Sequence, residues 1–410
     1  MVAWREATLG EVCDEVGGII QTGPFGSQLH ESDYSPEGIP VVMPRDIIEG
    51  RIASDTVSRV SHGHVDRLSR HKLRSGDIVY GRRGDIGRQA LIRQAESGWL
   101  CGTGCLRLSL GESILDPLFL HYYLRQDDVV GWISNQAVGA TMPNLNTGIL
   151  RSVPIRFPAV EEQRRIAGIL SAYDELIENS QRRIRILETM ARALYREWFV
   201  HFRFPGHENV PRVASSCGEI PRGWEVNKLK DACRLTMGQS PKSEFYNETG
   251  EGQPFHQGVS DFGDRFPTDR LFCTVDARIA EQGDILFSVR APVGRMNLAD
   301  KRIIIGRGLS AIRHNDDYQA FLWEQLRNRF TEDDMMGNGA IFAAVTKDDM
   351  QGIELICPPA RLVESATRHF GPIHGEIATL SRHIANLRRT RDLLLPRLLS
   401  NQVALPFEPK

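Results

Sequence analysis

The stretch Gly76-Asp77-Ile78-Val79-Tyr80 decides the fold of this chain, because it returns about 200 residues later as Gly283-Asp284-Ile285-Leu286-Phe287. A Gly-Asp turn that opens a short apolar run is typical of a β-strand. The residues that follow also match in order: Arg83, Gly87 and Arg88 correspond to Arg290, Gly294 and Arg295.

Further markers extend this correspondence in both directions along the chain. Trp4-x4-Leu9 returns as Trp224-x4-Leu229, and Gly102-x-Gly104 returns as Gly306-x-Gly308. An ordered series at a nearly constant offset indicates duplication, since chance would produce isolated matches. The 410 residues are therefore a tandem duplication of two halves of about 200 residues each.

Each half ends in a long apolar stripe in which residues alternate by four and three positions, which is the pattern of a coiled coil. A helix of about 33 residues would be roughly 50 Å long, longer than a small domain is wide, so the two helices are expected to pair. Arg391 interrupts the second stripe. Pro205 and Pro396 are expected to end the two helices, and Pro372 to bend the second. The predicted core of the helix pair is Ile177, Ile184, Leu187, Leu194, Ile377, Ile384, Leu387 and Leu394.

The predicted fold class is therefore α/β (α+β). It is a tandem duplication of two mixed α/β domains, separated by two long helices that pair as an antiparallel coiled coil. Helices are also predicted near Phe119–Arg125 and Phe321–Arg329. The expected segments are a first domain at 1–158, a central helix at 159–204, a second domain at 205–360, a distal helix at 361–400 and a tail at 401–410.

The net charge of −2 argues against a nucleic-acid partner only if the charge is evenly spread. Residues 1–158 hold 16 basic and 18 acidic side chains, and residues 205–360 hold 18 and 23. Within each half, however, arginines cluster at equivalent places, between 67 and 93 and between 290 and 313. A local basic patch is the electrostatic signature of a nucleic-acid-binding protein.

Arginines that recur in both halves beside glycine turns are the strongest candidates for DNA contact, because guanidinium binds phosphate or guanine bidentately. Arg83, Arg88, Arg290 and Arg295 meet this criterion. The predicted DNA-contacting set adds Arg82 and Arg307, with Gln21, Ser27, Gln28, Gln239 and Ser240 as weaker polar candidates.

Motifs for catalysis are missing from the sequence. No Lys follows a Gly, so a Walker A loop is excluded, and GxGxxG, GxSxG and HExxH do not occur. Cys357-Pro358-Pro359-Ala360 lacks both end residues of an amino-methyltransferase loop, and the seven Cys show no CxxC. We therefore expect a binding protein with no catalytic residues and no metal site. No apolar run spans a membrane and no secretory leader is visible, so the sequence predicts a cytoplasmic protein without a membrane partner.

The chain resembles the specificity (S) subunits of type I restriction–modification systems. The resemblance rests on Thr22–Ser27, on the Gly-Asp-Ile segments with their arginines, and on Ala140–Asn146. Its most specific part is Glu161-Glu162-Gln163-Arg164-Arg165-Ile166-Ala167, followed by Leu194-Tyr195-Arg196-Glu197-Trp198-Phe199. Gln163–Ile166 has no counterpart after Ala360, so the second helix departs from the pattern of the first.

The resemblance implies a non-catalytic subunit with two target-recognition domains, each of which reads one half of a bipartite, asymmetric sequence in double-stranded DNA. Two methyltransferase (M) subunits would dock on the helices, and restriction/translocase (R) subunits would join them. S-adenosylmethionine, ATP and Mg²⁺ would then belong to the partner subunits, with no cofactor on this chain. A two-domain protein-binding scaffold without DNA contact is the alternative. A fused restriction–methylation enzyme would need methyltransferase and nuclease motifs, and the duplication already accounts for the 410 residues.

Overall fold

The computed structural model of the protein describes residues 4–84, 86–111, 114–136, 144–275, 277–331 and 345–400. The chain divides into two compact units, one of residues 1–176 with 387–410 and the other of residues 177–386. Residues 140–143 of the stretch Ala140–Asn146, and the predicted tail at 401–410, lie outside the described residues. Among the described residues, no helix combines the length and apolarity that a membrane crossing requires.

The secondary structure of the described residues consists of short strands and ten α-helices, together with short 3-10 turns and one π-helical turn. The strands of the first unit are β1 (Arg5–Thr8), β2 (Ile19–Thr22), β3 (Tyr34–Ser35), β4 (Ile39–Val42), β5 (Ile47–Ile48), β6 (Arg51–Ile52), β7 (Ser58–Val60), β8 (Ile78–Gly81), β9 (Gln89–Leu91), β10 (Leu100–Cys101), β11 (Cys105–Ser109) and β12 (Pro154–Phe157). Those of the second unit are β13 (Arg212–Ser215), β14 (Gly218–Pro221), β15 (Glu225–Lys228), β16 (Cys233–Met237), β17 (Tyr246–Asn247), β18 (Gln253–His256), β19 (Leu271–Cys273), β20 (Ile279–Ala280), β21 (Ile285–Ser288), β22 (Met296–Leu298), β23 (Ile303–Ile305), β24 (Leu309–His314) and β25 (Glu354–Cys357). The helices are α1 (Leu9–Glu15), α2 (His62–Arg67), α3 (Pro117–Tyr123), α4 (Asp127–Gln136), α5 (Thr147–Arg151), α6 (Val160–Tyr195), α7 (Leu229–Ala232), α8 (Gln319–Thr331), α9 (Lys347–Gln351) and α10 (Ala360–Leu399).

The first unit is built on two four-stranded sheets. One has the order β2-β11-β8-β9 and is antiparallel throughout. The other has the order β10-β4-β7-β3 and contains one parallel pair, between β10 and β4. Val42, Val79, Ala90 and Cys105 belong to an apolar core that both sheets share. The opposite face of the first sheet carries the main core, to which α3, α4 and α5 contribute.

The second unit repeats this plan. Its antiparallel sheet β16-β24-β21-β22 has the same strand order as the first sheet of the other unit, and β18 pairs in parallel with β23 as β4 does with β10. The Gly-Asp turns also correspond, because Asp77 accepts a hydrogen bond from Arg74 N and Asp284 accepts one from Glu281 N, both at 2.8 Å. The tandem duplication and the mixed α/β content are confirmed.

Segments of the two long helices lie side by side within each unit. In the first unit, Ile166 and Leu170 of α6 share a core with Leu398 of α10, while Asp174 pairs with Arg391 of α10. The segments there run antiparallel, since rising numbers on α6 meet falling numbers on α10. In the second unit, Arg183 pairs with Glu376, and Tyr195 shares a core with Phe370 and Val363. Pairing as one continuous coiled coil stays a prediction.

The predicted helix-pair core is buried to different degrees. Ile177, Ile377, Ile384 and Leu387 are buried. Ile184, Leu187, Leu194 and Leu394 are half-buried.

The expectation that Pro396 ends the second helix is wrong, although α10 does end close to the predicted residue 400. Pro396 does not break α10, which continues to Leu399, and Ser400 N donates to Pro396 O at 3.0 Å. Proline removes a hydrogen bond to the preceding turn but still supplies a carbonyl to the next one, so one further turn can form. The first helix passes into a five-residue π-helical turn, Arg196–Val200, before Pro205. Pro372 lies inside α10.

Candidate nucleic-acid interface

Three loops of the first unit meet at one end of the sheet β2-β11-β8-β9. Strands β2 and β8 both pair antiparallel with β11, so they point the same way and their following loops lie beside the loop that precedes β11. We call this end, formed by residues 23–28, 82–84, 86–88 and 102–104, the first loop end. It carries five of the six residues predicted for DNA contact in this half, which are Arg82, Arg83, Arg88, Ser27 and Gln28.

The second unit has an equivalent surface, the second loop end, formed by residues 238–241, 289–295 and 306–308. These loops follow β16, connect β21 to β22 and precede β24, as their counterparts do in the first unit. All five residues predicted for DNA contact in this half lie here: Gln239, Ser240, Arg290, Arg295 and Arg307.

A pair of equivalent glycines holds the loops together at each loop end. A Cβ atom on Gly23 would lie 1.9 Å from the carbonyl oxygen of Gly102, and one on Gly238 would lie 2.1 Å from that of Gly306. Only glycine allows two backbones to approach this closely. Gly23 N also donates to Cys105 O, and Gly238 N to Leu309 O, each at 2.9 Å.

The predicted residues of the first loop end differ in their freedom to reach a ligand. Arg83, Arg88 and Ser27 are exposed. Arg82 is half-buried, and its Nε donates to the carbonyl oxygen of Leu145 at 3.3 Å. The Oε1 atom of Gln28 accepts from Phe25 N at 3.0 Å, so this amide stabilises its own turn and displays Phe25, which is 60% exposed.

Gln21 is the one predicted residue that lies away from the loop ends. It sits inside β2, where its Nε2 donates to the carbonyl oxygen of Arg70 at 2.6 Å. Its side chain lines a cavity of about 740 Å³ whose other walls include Lys72, Arg74 and Arg107.

The predicted residues of the second loop end include one tight pair. Ser240 Oγ accepts from the backbone N–H of Arg307 at 3.1 Å, which joins the loop after β16 to the loop before β24. Arg290, Arg295, Arg307 and Gln239 are exposed. The backbone N–H of Arg295 donates to Ser288 Oγ at 2.8 Å, which fixes the turn and leaves the guanidinium at the surface.

Arg107, Arg313 and His121 lie near these sheets but have structural roles. Arg107 is buried with Asp77 at 2.6 Å, and Arg313 pairs with Asp284 at 2.5 Å. Burial lowers the pKa of His121 to about 3, and its Nδ1 lies 3.0 Å from Gln89 Oε1. A buried histidine of this kind stays neutral at physiological pH. Within the described ranges, no group of three His, Cys, Asp or Glu side chains could hold a metal ion.

Sequence reasoning missed two exposed arginines, Arg45 and Arg185. Arg45 follows β4, and its Nη2 donates to Ser58 Oγ at 2.9 Å. Its counterpart in the second unit is Ser260, so a criterion based on recurring arginines could not find it. Arg185 belongs to α6, where the heptad pattern assigns it to the polar face of a helix.

Comparison with known proteins places this geometry in a family. A family model described as the type I restriction modification DNA specificity domain matches residues 1–189 and 221–361. A putative type I restriction enzyme specificity subunit from Methanocaldococcus jannaschii is 29% identical over 376 residues, which cover 89% of this chain and 87% of the relative. A type I restriction enzyme specificity subunit from Haemophilus influenzae is 22% identical over 98% of this chain and 100% of its own length.

A solved type I restriction–modification S subunit from M. genitalium has the same fold, with a TM-score of 0.62. It is 17% identical and covers 97% of this chain and 96% of that one. The resemblance found in the sequence is confirmed, because the family model matches both halves of the duplication. The chain belongs to the family of type I restriction–modification DNA specificity domains.

Proposed function

We propose that this chain is the DNA sequence-recognition subunit of a type I restriction–modification complex. Its target-recognition domains, at 1–158 and 205–360, each read one half of a bipartite, asymmetric site. Arginine and polar side chains at each loop end grip phosphates and reach base edges in the major groove. The chain recognises sequence and leaves the chemistry to its partners.

The observation that carries this proposal is the pair of equivalent loop ends. Both present exposed arginines at matched positions, Arg83 with Arg290 and Arg88 with Arg295. The polar residues around them differ, because Ser27 and Gln28 stand in one unit and Gln239 and Ser240 in the other. Two related surfaces with shared cations and different neighbours suit two different half-sites.

The long helices supply spacing and docking in this proposal. Helix α6 has 36 residues, or about 54 Å at 1.5 Å per residue. One turn of DNA is roughly 34 Å, so the two half-sites lie about one to one and a half turns apart. Two methyltransferase subunits dock on the helices and R subunits join them, bringing S-adenosylmethionine, ATP and Mg²⁺ to the complex.

Methylome sequencing of cells with and without the gene tests this function. We expect one bipartite methylated motif to disappear when the gene is deleted and to return with the wild-type chain. Unchanged methylation in every motif would overturn the proposal and favour a protein-binding scaffold.

A second test addresses the loop ends. We expect Arg83→Ala and Arg290→Ala to slow methylation of the cognate site and to weaken its salt dependence. If both variants retain the wild-type rate and salt dependence, the loop ends are not the DNA surface.

A further inference from the structure

Each unit contains a groove beside its loop end, and the two grooves occupy equivalent positions. In the first unit, the hairpin β5–β6 forms one wall and residues 86–89 form the other, around a volume of about 600 Å³. In the second unit, residues 262–265 and 295–297 form the corresponding walls, and residues of α6 and α10 also line the groove, whose volume is about 460 Å³. We call these the first and the second groove.

Strand registers establish that the walls correspond. Ile78 pairs with Leu91 and Ile285 pairs with Leu298, so the residues at the starts of β9 and β22 match and Arg88 corresponds to Arg295. The opposite walls match through Asp46 and Asp261. The carbonyl oxygen of Asp46 accepts from Ala53 N and that of Asp261 from Thr268 N, both at 2.8 Å.

Three arginines line each groove, two exposed and one largely buried. In the first groove the exposed pair is Arg45 and Arg88, and Arg125 is the inner residue. In the second groove the exposed pair is Arg185 and Arg295, and Arg265 is buried over the ring of Trp323. Only the Arg88–Arg295 pair occupies the same position in both.

The carboxylates in these walls are largely neutralised by other partners. Glu49 of the first groove pairs with Arg388 at 3.1 Å, and Glu188 of the second pairs with Arg327 at 3.3 Å. Asp264 is the remaining carboxylate of the second groove. Among the lining side chains, the first groove has three arginines against one carboxylate, and the second has three against two. Arg45 also lies 3.7 Å from Asp46, and Arg125 lies 3.8 Å from Asp174. Counted by their own linings, both grooves carry excess positive charge next to a loop end.

We propose that each groove holds a backbone phosphate of DNA, gripped by Arg88 in the first unit and by Arg295 in the second. Arg45 and Arg185 provide the second cation in each groove. This inference rests on the proposed function. It assigns the groove arginines to phosphate contacts and leaves base contacts to other residues of the loop ends. Phosphate contacts fix the register of a protein on the duplex, whereas base contacts choose the sequence. A cation kept at the same position in two domains that read different half-sites suits positioning.

The test uses the full chain assembled with the methyltransferase subunits of its own system. The DNA probes are a duplex with the bipartite motif and one with both half-sites scrambled. The variants are Arg88→Ala, Arg295→Ala and Arg45→Ala. Arg156→Ala and Arg212→Ala serve as controls, because these exposed arginines lie on β12 and β13, away from the loop ends.

Each groove variant is expected to weaken binding to both duplexes by the same factor. The plot of log affinity against log salt should become shallower by about 0.9, the contribution of one phosphate contact. Its ratio of cognate to scrambled affinity should equal that of the wild type, and the controls should not change the slope.

Three results would overturn the inference. The first is an unchanged slope, and the second is a lower ratio of cognate to scrambled affinity, which would make these residues base readers. The third is loss of co-purifying methyltransferase subunits with unchanged DNA affinity, which would make the grooves a protein-docking surface. If the wild-type assembly itself binds neither duplex in a salt-dependent way, the proposed function fails as well.

Discussion

The phenolic oxygen of Tyr122 donates a hydrogen bond of 2.7 Å to Asp174 Oδ2, and this joins a recognition domain to helix α6. The repeat places Glu324 and His374 at the corresponding positions, where Glu324 Oε1 lies 3.0 Å from His374 Nε2. Each domain is thus attached to a long helix at the same point. In the first unit a tyrosine of the domain contacts an aspartate of the helix, and in the second a glutamate of the domain contacts a histidine of the helix.

Removing the Tyr122 hydroxyl should destabilise the first unit. Asp174 is 13% exposed, so Tyr122→Phe leaves a largely buried carboxylate with one donor fewer. We expect a loss of about 2 kcal/mol in the free energy of unfolding, measured by urea denaturation. Tyr318→Phe is the control, because its hydroxyl lies 3.5 Å from Glu364 at the surface. Equal losses in both variants would contradict the assignment.

Arg391 interrupts the apolar stripe of α10 for a specific reason, since its Nη1 donates to Asp174 Oδ1 at 2.5 Å. Burial raises the pKa of Asp174, but hydrogen bonds from Arg391 and Tyr122 outweigh it and hold the pKa below its usual value. Arg391→Leu should cost about 2 kcal/mol at pH 7, because it removes the shortest ion pair of a largely buried carboxylate and leaves it with Tyr122 and with Arg125 at 3.8 Å.

The same pair predicts a pH dependence. A lowered pKa in the folded state contributes stability above the unfolded value of about 3.9 and loses it as the pH falls through the folded value. Arg391→Leu should remove this contribution, so its deficit should be larger at pH 7 than at pH 3.5. Denaturation curves at both values check this, and a deficit independent of pH would exclude the coupling.

His374 predicts a loss of stability in the same direction for the second unit, but at a higher pH. Burial is the main cause that lowers its pKa, and contact with Glu324 only partly offsets this. A histidine with a lowered folded pKa gives full stability above about pH 6.5 and loses it as the pH falls below that value. We expect His374→Gln to flatten the loss between pH 6.5 and 5, while the exposed His201→Gln leaves it unchanged.

Gly23→Ala should damage the first loop end, because its Cβ would clash with the carbonyl oxygen of Gly102. We expect weaker binding to the motif duplex and a loss of stability. Gly26→Ala is the matched control in the same loop, since a Cβ there meets nothing within 4 Å. Binding assays of both variants decide the matter, and wild-type binding by Gly23→Ala would show that the close approach is dispensable.

Deleting one heptad from each long helix should shorten the spacer between half-sites by about three base pairs. Seven residues correspond to about 10.5 Å of helix, and one turn of DNA takes about 34 Å. Methylome sequencing of cells that express the shortened chain measures the spacer directly. A motif with its original spacer would show that the helices do not set it.

The internal repeat and the heptads could be predicted because their signals are local or recur along the chain. The stretch Gly76–Tyr80 correctly indicated β8, and the apolar stripes indicated α6 and α10. The strand order β2-β11-β8-β9 could not be predicted, because it depends on pairing between residues far apart in sequence.

Some residues of the candidate site could be predicted from the sequence and others could not. Arg83, Arg88, Arg290 and Arg295 could be found through their recurrence in both halves. Arg45 and Arg185 could not be found in this way, because neither reaches its groove from a position where the other half has an equivalent arginine. Arg45 lies in the turn after β4, and Arg185 lies on α6. Gln21 has a suitable side chain, but it lies within β2, away from the loops. The sequence could not exclude it, because the bounds and register of β2 are not visible in the sequence.

The first unit draws its core from two segments that lie far apart in the sequence. Leu398 and Leu399 pack with Leu9, Phe119 and Leu170, which are separated from them by the entire second unit. During synthesis the first domain therefore cannot close its core until residues 398 and 399 have been made. The residues of the second unit, 177–386, are all made before residue 387, so the second unit can mature before the first. Truncation near residue 387 should therefore spare the second unit while the first unit fails.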